Sequence, residues 1–188
     1  MNSALVIIDM QMVMQERIDS GRDHVNPEAA SNIAALVGAF REAGKAVIHV
    51  RHQDDELSSP LHPHASGYQP MPCGREFEGE PVFIKKSSSA FATTDLLKYL
   101  MAEGVNHLFV TGAVAGFCVN STVRAGSDLG IDMTVVRDAV LGFDLPGAKL
   151  DARTIFDVSM GLLEADFATL SDSKSVIEAQ HLAGSVPV

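Results

Sequence analysis

Three side chains with complementary chemistry stand just beyond apolar runs of the chain. Asp9 closes the run ALVIID, Lys85 closes PVFIK, and Cys118 follows LFVTG and a turn of small residues. A cysteine sulfur can attack a carbonyl carbon, a carboxylate can take the thiol proton, and an ammonium can hold both groups in place. A helix start and a nearby ammonium would both favour the thiolate. The residue types therefore predict nucleophilic catalysis, with the backbone N–H groups of the turn GAVAGFC as donors to an oxyanion.

Each of these residues also has a purely structural interpretation. A single cysteine near a strand end is often a small buried hydrophobe, and an aspartate in that position often caps a turn or a helix. The only other cysteine is Cys73, so one disulfide with Cys118 is formally possible. Free thiols are favoured, because the chain has the composition of a cytosolic protein.

Apolar runs alternate with helical patterns along the whole chain. This alternation predicts βαβ units, a parallel sheet and a doubly wound, three-layer α/β/α domain of the Rossmann-like type. The predicted strands are 4–9, 46–50, 81–86, 107–112, 132–140 and 166–170, and the predicted helices are 26–44, with Asn26 as N-cap, 93–103, 119–129 and 150–165. In open parallel sheets ligands bind beyond the carboxyl ends of the strands, so Asp9 and Cys118 are expected at the same edge.

Length and charge restrict the classes of function. The 188 residues are expected to form one domain, 1–188, and the net charge of −10 argues against nucleic acid and anionic membranes as partners. No apolar run approaches the length of a membrane span, and the N-terminus does not resemble a signal peptide, so a cytoplasmic location is expected. A nucleotide-binding Rossmann domain is disfavoured, because Gly112 and Gly116 form only G-x-x-x-G.

Three blocks of the sequence together resemble the isochorismatase-like cysteine hydrolases, the family that includes nicotinamidases. The blocks are LVIIDMQ, EPVFIKKSSSAFATTDLLKYL and LFVTGAVAGFCVNSTVRAG, in that order. The resemblance extends from residue 4 to about residue 170. It implies a six-stranded parallel sheet with helices on both faces, and a triad of Asp9, Lys85 and Cys118. Lys85 is preferred over Lys86 because it stands six residues before Phe91, as in the family.

The resemblance also implies the parts around the nucleophile. A cis peptide is expected between Ala113 and Val114, with the backbone amides of Val114 and Cys118 as the oxyanion hole. Many members have threonine where this chain has Ala115, so one polar contact is missing. The substrate pocket is predicted to include Gln11, Met14, Tyr68, Phe91 and Phe117, each of which could equally be ordinary core.

A metal site is not predicted. The loop-like stretch 51–81 is too long for a simple connector and is expected to shape the pocket. Histidines cluster at its start and within it, at His49, His52, His62 and His64. Nicotinamidase-like members bind metal through an Asp-x-His pair, whereas here Asp54 is followed by Asp55 and Glu56. We therefore expect solvated or capping histidines and no cofactor.

These observations predict a hydrolase that acts on a C–N bond of a small molecule, an amide, lactam or carbamoyl group, through a thioester. The cysteine favours attack on a carbonyl carbon, since some members that cleave the vinyl ether of isochorismate lack it. Vinyl ether hydrolysis and a non-catalytic binding protein on the same fold remain the alternatives. Relatives form dimers or tetramers, so a homodimer or homotetramer is expected.

Overall fold

A computed structural model describes residues 2–184 of the chain. Its elements alternate much as the sequence predicts. The strands are β1 (Ser3–Ile8), β2 (His24–Val25), β3 (Val47–His52), β4 (Val82–Lys85), β5 (His107–Ala113), β6 (Asp132–Phe143) and β7 (Thr169–Ser171). The α-helices are α1 (Met12–Asp19), α2 (Ala29–Glu42), α3 (Leu96–Ala102), α4 (Asn120–Asp128), α5 (Ala152–Asp166) and α6 (Ser173–Gly184). No helix in this part of the chain is long and apolar enough to cross a membrane.

The six strands that the sequence predicts form one parallel sheet in the order β4-β3-β1-β5-β6-β7. The predicted fold class is therefore confirmed. One further strand was not predicted: the two-residue β2 pairs antiparallel with the end of β6. Strand β6 is long enough to pair with all three neighbours. Its first half pairs with β7, and its second half continues past a register shift against β5 and pairs with β2.

Both faces of the sheet are buried, which explains the near-continuous apolar runs of its strands. In β1, Ala4, Val6 and Ile8 point to one core and Leu5 and Ile7 point to the other. The first core lies under α3, α4 and α5, and the second lies under α1, α2 and α6. Strand β1 lies between β3 and β5 and is buried on both faces of the sheet, so it stands at the centre of the three-layer sandwich. This fixes the position of Asp9, the residue that follows it.

The helix boundaries differ from the prediction in informative ways. Asn26 does not cap α2: its backbone is left-handed at φ 57°, and its amide donates to the carbonyl oxygens of Arg137 and Val140, each at 2.7 Å. It therefore ties α2 to β6, and the helix begins three residues later. The sequence did not predict α1, because three of its four apolar residues, Met12, Val13 and Met14, are consecutive and only Ile18 follows at helical spacing.

Candidate active site

The carboxyl ends of β1, β3, β4 and β5 meet at one edge of the sheet. Asp9 follows β1, and Lys85 is the last residue of β4. Strand β3 lies between these two, so that its last residue, His52, pairs in register with Lys85. Cys118 follows β5 in a single π-helical turn, Ala115–Val119, that leads into α4. The topology thus brings the three sequence-predicted residues to the same edge.

The Lys85 ammonium contacts every member of this group. Its Nζ atom lies 2.8 Å from Asp9 Oδ2, 3.0 Å from His52 Nδ1, 3.1 Å from the Ser87 carbonyl oxygen and 3.2 Å from Cys118 Sγ. The side chain has no exposed surface. The neighbouring Lys86 is different, because it is largely exposed and pairs with the exposed Asp55. Only the first lysine of the pair can therefore act on the thiol.

Asp9 is held in an unusual position for a carboxylate. It is 2% exposed, its backbone φ is 51°, and its N–H donates to the Val50 carbonyl oxygen. Oδ2 pairs with Lys85, but Oδ1 has no hydrogen-bond partner among the described residues. Burial raises the pKa of Asp9, and the charge of Lys85 opposes that rise. A carboxylate with a raised pKa and a free oxygen is a suitable base.

The Cys118 thiol is half-buried and unoxidised, as is Cys73. Burial raises the pKa of Cys118 to about 12, the negative charge of Asp9 adds to the rise, and the charge of Lys85 opposes it. The ammonium of Lys85 favours the thiolate, as expected, but desolvation and the charge of Asp9 outweigh it. The raised pKa favours the protonated thiol, so a nucleophilic role for this sulfur would need a base beside it.

The turn before Cys118 contains a backbone N–H without a hydrogen-bond partner among the described residues. The peptide bond between Ala113 and Val114 is cis, and the N–H of Val114 makes no hydrogen bond within the described part of the chain. Gly112 allows β5 to reach this turn: its φ is 114°, and a Cβ there would stand 2.0 Å from the Ile8 carbonyl oxygen. Only glycine fits such an approach, which places the turn directly beside Asp9.

His52 belongs to the site, although the sequence placed it only among the loop histidines. Since Nδ1 accepts from the Lys85 ammonium, the ring proton is assigned to Nε2, which donates to Asp54 Oδ1 at 3.1 Å. Ser59 in turn donates to the other oxygen of Asp54 at 2.6 Å. The register of β3 with β4 is the signal that could have revealed this contact. His52 is thus one of the four groups that hold the Lys85 ammonium in place.

The other histidines do not reach this edge. The buried His49 contacts Glu80 Oε2 at 2.8 Å and the Gly74 carbonyl oxygen at 3.0 Å, and His62 and His64 contact each other in the loop with their rings tilted by 50°. Donor atoms of Asp9, His52 and Cys118 lie within 4.8 Å of one another, a spacing that would suit one metal ion. Lys85, however, already bonds to all three residues. A metal ion there would have to displace the ammonium, so these residues fit a metal poorly.

A cavity of about 350 Å³ opens onto this group. Of the predicted pocket residues, Met14 and Phe117 line it. The other three have different positions in the molecule. Gln11 is fully buried and ties β3 to the following loop through His52 and the Tyr68 carbonyl oxygen, and Phe91 packs beside Met133 under α4. Tyr68 directs its hydroxyl toward Gln53.

Two arginines in the cavity wall were not predicted as site residues. Arg17, in the last turn of α1, and Arg22, just beyond α1, both line it. Each guanidinium lies 5.7 Å from the centroid of the Phe143 ring. The sequence carries no local signal for this position, because it depends on how α1 packs over the sheet edge.

Comparison with known proteins finds relatives that align with nearly the whole chain. A model of the isochorismatase domain matches residues 3–172. The isochorismatase family protein YrdC of Bacillus subtilis is 29% identical and aligns over 93% of this chain and 94% of its own. The ureidoacrylate amidohydrolase RutB of Cronobacter sakazakii is 28% identical, over 94% and 88%. A solved isochorismatase-family structure from Chromobacterium violaceum superposes with a TM-score of 0.90 at 28% identity, over 96% and 94%.

Proposed function

The chain belongs to the isochorismatase family of hydrolases, and from that premise we propose that it cleaves a C–N bond of a small molecule through a thioester on Cys118. The observation that carries this proposal is the position of the Lys85 ammonium. It lies 2.8 Å from the carboxylate of Asp9 and 3.2 Å from the sulfur of Cys118, where a substrate cavity opens. The ammonium thus contacts both of the groups to which the proposal assigns the roles of base and nucleophile.

In the first step the thiol proton moves to Asp9 as the sulfur attacks the carbonyl carbon. Because the pKa of Cys118 is raised, the thiol loses its proton during the attack and not before it. Because the pKa of Asp9 is also raised, its carboxylate is a stronger base than usual. Lys85 stabilises the charge on sulfur as it develops. The C=O π electrons move to oxygen, which becomes an oxyanion.

The backbone amides of Val114 and Cys118 are proposed as the donors to that oxyanion. Val114 lines the cavity, and its N–H has no hydrogen-bond partner among the described residues, which supports this role. A preorganised donor of this kind contributes roughly 3–4 kcal/mol to transition-state stabilisation. Ala115 has no side-chain hydroxyl, so the proposed hydrogen-bond donors to the oxyanion are backbone amides alone.

The second half of the reaction reuses the same groups. Asp9 returns its proton to the leaving nitrogen, the C–N bond breaks, and ammonia or an amine departs. A water molecule then gives a proton to Asp9 and attacks the thioester, and the sulfur leaves as the thiol when that proton returns to it. The products are a carboxylic or carbamic acid and the free enzyme, with no redox change.

Amide-type chemistry is favoured over vinyl ether cleavage because the nucleophile and its base are both present. One relative, RutB, is named as an amidohydrolase, which supports a C–N bond as the target. Isochorismate hydrolysis, which releases pyruvate, and ligand binding without turnover are the alternatives that the test must separate.

The test is a panel of small amides, carbamoyl amino acids and isochorismate, followed by ammonia and pyruvate release. We expect ammonia release that Cys118→Ala lowers by at least about 10³-fold. Cys73→Ala is the matched control, since this second half-buried thiol has its pKa raised to about 11 by burial and lies outside the site. Acid quenching during turnover should trap an acyl group on Cys118 by mass spectrometry. Full activity of the Cys118→Ala protein would refute the mechanism.

A further inference from the structure

Arg17 lines the cavity, and its guanidinium has no acceptor that matches it. Its only hydrogen-bond partner among the described residues is the thioether sulfur of Met14, at 3.8 Å, and no carboxylate of that part of the chain pairs with it. Although Arg17 stands in the last turn of α1, its guanidinium bonds to none of the helix's final carbonyl groups. A guanidinium has five N–H donors, so most of its capacity is unused.

Arg22, the neighbouring cation, is already neutralised. Its Nε lies 2.8 Å from Asp144 Oδ1, and its terminal nitrogen donates to the Asp144 carbonyl oxygen at 2.8 Å. Asp9 and Lys85 likewise offset each other at the floor of the cavity. One uncompensated positive charge, that of Arg17, therefore remains in the wall.

Keeping this charge partly buried works against the stability of the site. Burial lowers the pKa of Arg17, and the charge of Arg22 lowers it further, yet an arginine stays protonated at neutral pH. A buried charge needs a counter-charge, and a planar fork of N–H donors matches the two oxygens of a carboxylate. A single net charge suits a monoanion better than a doubly charged phosphate.

We propose that Arg17 is the specificity residue of the cavity and binds a carboxylate of the substrate, while the scissile group lies at Cys118. Arg22 bonds to Asp144 through Oδ1 and the carbonyl oxygen, and no ion pair joins Arg17 to Asp144. This assignment rests on the proposed function for the identity of the reacting end. The substrate class is thus a small molecule with a carboxylate at one end and a C–N bond at the other.

The experiment compares two probes that differ only in charge, glutaramate and glutaramide. Binding to the full-length Cys118→Ala protein is followed by NMR titration, so that no turnover interferes and failure of the proposed chemistry cannot alter the result. We expect glutaramate to bind at least about tenfold more tightly than glutaramide at low salt, and the preference to shrink with added NaCl. Arg17→Gln in the same background should abolish the preference, and Arg17→Lys should retain part of it.

Arg153→Gln is the control, because Arg153 is an exposed residue of α5 and should keep the full preference. Equal affinities for the two probes, no saturable binding of glutaramate, or a preference that survives Arg17→Gln would each overturn the proposal. Inorganic phosphate is the third probe. Binding of phosphate as tight as that of glutaramate would replace the carboxylate site with a general anion site and also overturn it.

Discussion

Replacing Lys85 by methionine would leave the Asp9 carboxylate buried without its counter-charge. The two groups are 0% and 2% exposed and 2.8 Å apart, so in an effective dielectric of about 20 they attract by about 6 kcal/mol. The desolvation of both charges offsets part of this attraction. In Lys85→Met, Asp9 can avoid the unpaired charge by binding a proton, which for an ordinary carboxyl at pH 7 costs about 4 kcal/mol. We therefore expect a loss of about 3–5 kcal/mol in the free energy of unfolding.

The double variant Asp9→Asn/Lys85→Met should recover most of that loss, because it contains neither charge. Urea unfolding at pH 7 measures all members of the cycle, and we expect a coupling energy of about 3 kcal/mol. The sign of the pH dependence is also determined. In Lys85→Met the folded-state pKa of Asp9 is raised above its value of about 3.8 in the unfolded chain. The variant is therefore most stable below that pH, and its free energy of unfolding falls as the pH rises. The deficit against the wild type should therefore shrink toward pH 4.

Lys86→Met is the matched control, because the Lys86–Asp55 pair has a similar distance of 2.7 Å but is 54% and 69% exposed. It should leave the unfolding curve unchanged within error. Additive effects in the Asp9–Lys85 cycle, or a Lys85→Met deficit that does not vary with pH, would refute the reasoning that the two charges depend on each other.

The remaining predictions concern the base, the turn and a remote ion pair. Because burial raises the pKa of Asp9, the acid limb of the kcat/KM profile should lie above pH 3.8, and a limb at or below that value would exclude Asp9 as the base. Gly112→Ala should destabilise the fold by about 3 kcal/mol or more in urea unfolding, since its Cβ would meet the Ile8 backbone, whereas Gly38→Ala, with open space around it in α2, should be neutral or slightly stabilising. Burial works against ionised Glu80, but bonds from Arg41, the Phe77 N–H and His49 outweigh it and lower its pKa to about 2. The stability that ionised Glu80 contributes is present above pH 4.5 and lost as pH falls toward 2, so the deficit of Glu80→Gln should be largest at pH 7 and decline below pH 4.5; a constant deficit would contradict this.

The architecture could be predicted from the sequence because it depends on local patterns. Apolar runs of strand length, separated by helix-length segments, leave few alternatives to a parallel sheet covered on both faces. The carboxyl ends of such strands share an edge, so the meeting of Asp9, Lys85 and Cys118 follows from their positions after three of those runs. The strand β2 and the helices α1 and α6 were missed: β2 has only two residues, three of the four apolar residues of α1 are consecutive, and α6 lies beyond the last predicted strand.

Only the tertiary structure decided the electrostatics of the site. The sequence identified two neighbours that favour the thiolate, but the pKa of Cys118 also depends on burial and on the nearby Asp9 charge, which are properties of the packed core. His52 joins the site through the register of β3 with β4, and Arg17 joins it through the packing of α1. Residue type and spacing thus specify which groups can react. Solvent exclusion and side-chain direction, which arise from elements far apart in the chain, decide their protonation and their neighbours.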